Sequence, residues 1–488
     1  MTDESPKYSR TERVGKLPFS TKFYQGLGAI PDTLKNFAFN TFILLFYNQI
    51  LGLNAFMVSI ALMIAMVFDA VSDPLVGAFS DNLRTRWGRR HPLMLIAVLP
   101  LGLCFTAVFI PPDGLSESML FVWLTVFTVL TRGFMTLYFV PWAAIAAELS
   151  DDYNERTQVM LFRFVVGWFV GVLAPLAVYT WAMPNTEAYP SGQLNPAGYP
   201  VMAICLGVAL TCGALVTTLM TLREAPYLRQ HAVLPPNFTF KSALLDMLRA
   251  LKNRQFLLIF GVTFFYSAIA GTTANIGIYM QTYFWGLTSD DLRWYSLAAL
   301  GAIVAFGLTS RMQSRFDKKH ILITCSIIGM IDGIVIINLR FFDILPDNGS
   351  TLLLGILVAN SIFSSVVGVI AGIIGASIVA DILDDHELRT GYRQEAMFNA
   401  ALSFSGKAVT GVGILLGGLI ITLIEMPTGV APADVPEDVI FRLGLVVGIL
   451  IPLFNIITIA LLQRYKLTRE VVYKIQSDLA DRRAAAHL

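Results

Sequence analysis

The sequence predicts an all-α integral membrane protein with twelve transmembrane helices in two six-helix sets and both termini in the cytoplasm. Three observations lead there. Of 488 residues, 55% are hydrophobic and 14% charged, against about 25% charged in an ordinary soluble domain. The apolar residues fall in long runs, and about 20 such residues cross a hydrocarbon core of ~30 Å. Basic residues, in turn, crowd alternate loops. Twelve helices of about 22 residues would use roughly 264 residues, nearly the whole apolar inventory. The same composition excludes a soluble enzyme, a disordered chain and a disulfide-stapled secreted module.

In chain order the spans fall near 24–51, 56–80, 92–111, 118–149, 158–183, 199–222, 255–284, 292–314, 320–342, 351–383, 395–425 and 439–463. Several exceed the minimum length, which tilt or extension beyond the bilayer accommodates. Arg84, Arg86, Arg89 and Arg90 follow the second span, and Arg223, Arg229, Lys241, Arg249, Lys252 and Arg254 follow the sixth. Arg311, Arg315, Lys318 and Lys319 follow the eighth, and Arg464, Lys466, Arg469, Lys474, Arg482 and Arg483 lie in the tail. Loops 112–117, 184–198 and 426–438 contain no Lys or Arg. The positive-inside rule therefore puts both ends in the cytoplasm and requires an even helix count.

The expected organisation is a cytoplasmic segment 1–23, a six-helix bundle 24–222, a central cytoplasmic loop 223–254, a second bundle 255–463 and a cytoplasmic tail 464–488. Residues 1–22 are polar and show no cleavable signal peptide. Pro226, Pro235 and Pro236 precede an amphipathic patch, Lys241 to Leu251, read as a helix on the leaflet surface. A weak repeat relates the halves. Glu148-Leu-Ser-Asp-Asp-Tyr-Asn-Glu-Arg-Thr157 is echoed by Asp381-Ile-Leu-Asp-Asp-His-Glu-Leu-Arg-Thr390, and Asp81 to Arg90 loosely by Arg315-Phe-Asp-Lys-Lys319. Paired halves with a site near the midplane are a transporter architecture.

Cys104, Cys205, Cys212 and Cys325 are dispersed in apolar stretches with no CxxC pair, which points away from metal or redox chemistry. The histidines at 91, 231, 320, 386 and 487 are scattered, so no catalytic constellation forms and an enzyme is not expected. A net charge of +1 says nothing about a nucleic-acid or acidic partner, and no nucleic acid is expected.

The informative charges are those placed where lipid should be. Span two reads Met66-Val-Phe-Asp-Ala-Val-Ser-Asp-Pro-Leu-Val-Gly77. A charge at the bilayer centre costs about 2.5–3.5 kcal/mol on insertion scales. Asp69 and Asp73 are one turn apart on one face, and two anions so placed repel unless a cation or proton intervenes. Pro74 leaves the Ala70 carbonyl without its helical donor. Oxygens from Asp69, Ser72 and Asp73 suit a hard monovalent cation or a proton. Ion pairs to neighbouring spans are the alternative, and the two states can alternate in one cycle. The countercharges are Lys407 in span eleven, Arg132 in span four and Arg163 at the start of span five. Lys407 lies far from either helix end among small residues, as a pairing group does. Arg163 either caps the Asp151/Asp152/Glu155 cluster or meets solute. Aromatic cavity candidates are Tyr24, Tyr47, Tyr138, Tyr279, Tyr283 and Trp285, though aromatics at span ends commonly anchor the interface.

Asp69-Ala-Val-Ser-Asp-Pro-Leu-Val-Gly77, followed by Asp81-Asn-Leu-Arg-Thr-Arg-Trp-Gly-Arg-Arg90-His-Pro92, resembles the signature of the glycoside–pentoside–hexuronide:cation symporters of the major facilitator superfamily. Pro141-Trp-Ala-Ala, Glu148, Glu155-Arg-Thr157 and Arg163 resemble a second block, and Asp384, Glu387, Arg393, Glu395 and Lys407 a third. The resemblance runs from Gly26 beyond span eleven. It implies a major-facilitator fold and Na⁺- or H⁺-coupled symport of a sugar, glycoside or hexuronide by alternating access, without a cofactor. The cation would be held by Asp69, Ser72, Asp73 and Thr136, with Lys407 as charge partner. Arg84, Arg89 and Arg90 would brace a cytoplasmic gate with Glu148 and Asp152, and Asp384, Glu387 and Arg393 would serve it in the other half.

The solute half departs from the family pattern. Phe139 stands where the pattern has a sugar-binding aspartate, Ala143 where it has a stacking aromatic, and Gly372 where it has a tryptophan. Asp32-Thr33, with Lys35 a turn later, replaces a lysine–aspartate pair. Arg132 and Arg163 added to Lys407 suit a solute bearing a carboxylate or phosphate. The solute candidates are Asp32, Lys35, Arg132, Phe139, Arg163 and Tyr279. A related branch, the sodium-coupled lysophosphatidylcholine carriers, provides the alternative, an amphiphile with an anionic head group. The expected partners are a small organic solute, a monovalent cation and the bilayer of a plasma membrane (the inner membrane in a Gram-negative bacterium). One chain contains both halves, so a monomer suffices.

Overall fold

The computed structural model describes residues 15–150, 152–228, 253–390 and 395–486. Asp151, the Lys241–Leu251 patch and Arg393 lie outside them. Among the described residues all regular structure is helical, and eleven helices are long and apolar enough to cross a membrane. The first expected span is in pieces: α1 (Phe19–Leu27), α2 (Ile30–Leu45) and a π-helical turn, Phe46–Ile50. The break has a packing cause. A Cβ at Gly28 would strike the Trp142 indole, so only glycine lets the chain bend there. Pro31, which has no N–H to leave unsatisfied, then starts α2.

The remaining helices of the first part are α3 (Ala55–Asn82), α4 (His91–Phe109), α5 (Glu117–Glu148), α6 (Tyr153–Ala177) and α7 (Gly198–Thr221). Those of the second are α8 (Arg254–Tyr279), α9 (Ser289–Arg315), α10 (Lys318–Phe341), α11 (Thr351–Thr390), α12 (Glu395–Leu423), α13 (Glu437–Gln463) and α14 (Arg469–Ala486). The chain divides into two compact units. Unit 1 comprises Met1–Leu53 and Ile60–Thr239, and unit 2 comprises Asn54–Ser59 and Phe240–Leu488.

Helices packed in lipid gain no hydrophobic drive from one another, so close approach of small residues and interhelical bonds hold them. In unit 1 a Cβ on Gly102 of α4 would meet Thr211 and the Gly207 carbonyl of α7. Aromatic rings complete that core: Phe46 stacks on Tyr199 at 4.3 Å, and the Tyr47 hydroxyl donates to the Val108 carbonyl at 2.7 Å. In unit 2, α8 and α12 meet through Gly271 and Gly413, and the Thr272 hydroxyl donates to the Gly413 carbonyl at 3.0 Å.

The tail is a helix packed on unit 2. Val472, Ile475 and Leu479 recur on one face of α14 and join the unit 2 core beside Ile382 and Leu383. Lys319 donates to the Gln463 and Tyr465 carbonyls at 2.7 and 2.8 Å, the unsatisfied end of α13. Arg469 donates to the Gln313 and Ser314 carbonyls at the end of α9.

Gly413→Leu should therefore destabilise the purified protein by about 1–3 kcal/mol, because its Cβ meets the Ala268 carbonyl. Gly355→Leu, with nothing within 4 Å of its Cβ, should leave the thermal unfolding midpoint in place.

Candidate cation and solute site

The pairing of α3 with α5 assembles an oxygen cluster from residues distant in sequence. The Thr136 hydroxyl oxygen lies 3.0 Å from Asp69 Oδ1, 3.0 Å from Asp73 Oδ1 and 3.3 Å from Ser72 Oγ. Ser72 also donates to the Asp69 carbonyl at 3.2 Å. A hydroxyl carries one proton and can satisfy one carboxylate at a time. Two acids thus converge on one hydroxyl oxygen, and Arg132 brings positive charge to the far side of Asp69. Hard oxygens alone form this cluster, the donor set that suits Na⁺ or a proton rather than a soft metal.

Arg132, expected both as a countercharge and among the solute residues, lies against the acids. Its Nη1 lies 3.4 Å from Asp69 Oδ2, and its guanidinium rests 5.9 Å from the Phe39 ring centroid. It is one turn from Thr136 on α5 and so presents to the same face of α3. Both members of the pair are buried, and Asp32 and Asp73 also act electrostatically on Arg132. The alternative of an ion-paired acid thus coexists with the oxygen cluster. Asp32 is bonded within α2 to buried Lys35, at 3.0 Å.

A second patch surrounds Trp142. Gln25 and Trp142 bond reciprocally: Gln25 Nε2 donates to the Trp142 carbonyl at 2.8 Å, and the indole donates to the Gln25 carbonyl at 2.9 Å. Phe139 lies 5.3 Å from that indole, and the Arg163 guanidinium sits over it at 3.9 Å. Arg163 thus lies on the tryptophan, while two of the acids it was expected to cap, Glu155 and Asp152, have other partners. Glu155 accepts from the Leu17 N–H and the Ser150 hydroxyl at 2.8 and 2.6 Å. Asp152 caps α6 by accepting the Glu155 N–H at 2.9 Å.

Tyr279, another expected solute residue, is fully buried, and its ring stacks on Tyr283 at 5.9 Å. Lys407 lies half-buried on α12 in unit 2.

The gate residues separate into two groups. Glu148 Oε1 accepts from Arg89 Nη2 and Arg90 Nη2, each at 2.8 Å. Arg90 Nη2 also reaches Asp81 Oδ1 at 2.6 Å, and its Nη1 donates to Ser80 at 3.0 Å. The turn before the arginines is closed by Gly88 at φ 80°, and Thr85 donates to its carbonyl at 2.7 Å. A carboxylate at a helix C-terminus opposes the helix dipole, and two guanidinium groups offset that. Arg84 is exposed and joins no ion pair among the described residues. Asp152 is a helix cap and not the arginines' partner. Their second acid is Asp81, in the last turn of α3 just before that loop.

Unit 2 holds a related clamp. Lys318 Nζ bonds both Asp381 oxygens at 2.7 and 2.6 Å, and Arg389 bonds Asp385 at 2.9 Å. Asp384 accepts from Gln476 at 3.3 Å, and Glu387 is half-buried on α11. Asp81, Lys318 and Asp381 were absent from the expected gate. The repeat contained the signal, since it aligns Glu148 with Asp381 and the Asp81–Arg90 loop with Arg315–Lys319.

The family described as MFS/sugar transport protein matches residues 24–469. The chain belongs to this family. As a member it is a multi-pass membrane protein. Similar full-length relatives are an uncharacterized symporter of Synechocystis (25% identical, 98% of this chain and 100% of that one) and the isoprimeverose transporter of Lactiplantibacillus pentosus (24%, 83% and 80%). A putative glycoside/cation symporter of Escherichia coli is 23% identical over 96% of both chains. The sodium-dependent lysophosphatidylcholine symporter 1-A of Danio rerio matches over 159 residues at 28% identity, which is 32% of this chain and 30% of that one. Among solved structures, the nucleoside transporter NupG gives a TM-score of 0.60 at 12% identity, over 92% of this chain and 100% of that one. The xylose transporter XylE of E. coli gives 0.58 at 12%, over 93% and 98%. These likenesses establish the fold, and these relatives and neighbours are transporters.

Glu148→Ala removes the acceptor that two buried guanidinium groups share and leaves Asp81 as their remaining acid, a loss of about 1.5–3 kcal/mol for a charge-assisted hydrogen bond. Asp152→Ala forfeits a cap worth about 1 kcal/mol. Thermal unfolding should accordingly rank Glu148→Ala well below Asp152→Ala, with Arg84→Ala close to the parent protein.

Proposed function

We propose that the protein is a secondary active symporter that carries a sugar or glycoside together with Na⁺ or H⁺. It works by alternating access between two six-helix bundles, with twelve spans, both termini cytoplasmic and no enzymatic step. The observation that carries this reading is the Thr136 hydroxyl set between the Asp69 and Asp73 carboxylates. In the cycle a cation enters among Asp69, Ser72, Asp73 and Thr136 and relieves the repulsion between the acids. Its departure returns the charge balance to basic side chains, Arg132 and, as proposed charge partner, Lys407. The Arg89/Arg90–Glu148 and Lys318–Asp381 clamps brace the ends of the helices that must move. Asp32, Lys35, Phe139 and Arg163 are the proposed solute-facing residues of unit 1.

Support for the solute class comes from relatives named for isoprimeverose and for glycoside/cation symport, which align along most of the chain. The lysophospholipid alternative has a shorter alignment behind it.

Reconstituted in proteoliposomes, the protein should accumulate a sugar or glycoside when an inward Na⁺ or H⁺ gradient is imposed. Asp73→Cys should abolish that accumulation while downhill exchange persists. Thr136→Ala should weaken cation activation about tenfold, the loss of one oxygen ligand to a charge, and Lys407→Ala should lower both accumulation and exchange. Gradient-driven accumulation that survives Asp73→Cys would remove the cation site from α3.

A further inference from the structure

Unit 2 contains an intramembrane acid outside every site above. Asp332 lies near the middle of α10, where a charge needs a partner or a function. Its two oxygens are held by neutral donors on adjacent turns of α11. Asn360 Nδ2 donates to Oδ1 at 2.6 Å, and Ser364 Oγ donates to Oδ2 at 2.6 Å. No basic side chain among the described residues pairs with it. Each carboxylate oxygen accepts two bonds, so one acceptor position per oxygen remains.

Asp332 also borders two cavities of unit 2. One, of about 440 Å³, is mixed, with Thr273, Gln281, Asn455, Trp285 and Tyr295 set among aliphatic side chains on its walls. The other, of about 680 Å³, is mostly apolar, walled by Tyr266, Phe363, Val367 and Leu402. Both fall within the ~300–1,000 Å³ of small-molecule sites, which place a few polar groups in an apolar setting. Asp332, Thr273, Ser364 and Asn455 are common to both. The larger chamber owes its space to missing side chains. Gly329, Gly368, Gly372 and Gly375 line it, and a Cβ on any of them would meet nothing within 4 Å. Gly372 is also the position at which the family pattern has a tryptophan.

We propose that unit 2 contains a glycoside site: Asp332, with Asn360 and Ser364, accepts hydroxyl protons of the sugar ring, and an apolar aglycone occupies the glycine-lined chamber. This rests on the reading of the protein as a sugar or glycoside symporter and narrows its substrate to glycosides with an apolar group. An acceptor carboxylate and aromatic surfaces, displaced from the family's positions in spans four and ten, are then supplied by Asp332, Trp285 and Tyr295.

The test is binding to the purified full-length protein, with and without Na⁺. The probes are p-nitrophenyl and methyl forms of glucoside, galactoside, xyloside and glucuronide, with lysophosphatidylcholine as a separate arm. A p-nitrophenyl glycoside should bind more tightly than its methyl counterpart. Asp332→Asn, nearly isosteric, should weaken both by about tenfold or more, as loss of a buried hydroxyl acceptor does. Gly372→Phe, growing into open space, should weaken the p-nitrophenyl form by about tenfold while the methyl form changes little, since only apolar burial is lost. Monodisperse elution of each variant shows that it is folded. Glycoside binding unchanged in both variants would overturn this site and leave glycoside symport standing. Binding of no glycoside by the parent protein, with lysophosphatidylcholine binding that Gly372→Phe abolishes, would overturn the site and the sugar reading together.

Discussion

The constraint on which the rest depends is electrostatic: two carboxylates one helical turn apart, facing a single hydroxyl proton inside a membrane. Asp69 and Asp73 both stand 3.0 Å from Thr136 Oγ1, and that hydroxyl can donate to only one of them. Arg132 compensates Asp69 from its far oxygen. On the proposed reading, a cation arriving at or leaving this cluster would change its charge balance, and the two occupancy states would favour different partners for the same acids.

The helix ends show the same economy of charge. Glu148 closes α5 at the end where a helix dipole disfavours an anion, and two arginines from the α3–α4 loop share its Oε1. In unit 2 the corresponding element is a lysine held by both oxygens of Asp381. Charged groups there tie helix ends to the neighbouring loops and helices. The α14 helix adds an apolar brace, with Val472, Ile475 and Leu479 in the core of unit 2.

Glycine serves two opposite purposes. At Gly28, Gly102, Gly271 and Gly413 a Cβ would collide with a neighbour, so its absence permits contact. At Gly329, Gly368, Gly372 and Gly375 a Cβ would meet nothing, so its absence makes space. Composition cannot distinguish the two. Only the neighbour across the gap does.

Much of the fold was legible because a bilayer demands long apolar helices. The pairing of Asp69 with Asp73 was equally legible, since helical periodicity alone puts residues i and i+4 on one face. The first span's division at Gly28 was not, because it depends on an indole more than a hundred residues away. Asp332 passed unremarked for a related reason: a lone acid in an apolar run acquires meaning only from Asn360 and Ser364 across the helix interface. The assignments of Arg132, Arg163, Asp152 and Tyr279 likewise waited on contacts. Local sequence determines which residues share a helix face and which stretches can cross a membrane. Which faces meet, and hence whether an arginine pairs with an acid or lies on a tryptophan, is decided by long-range packing that no single helix encodes.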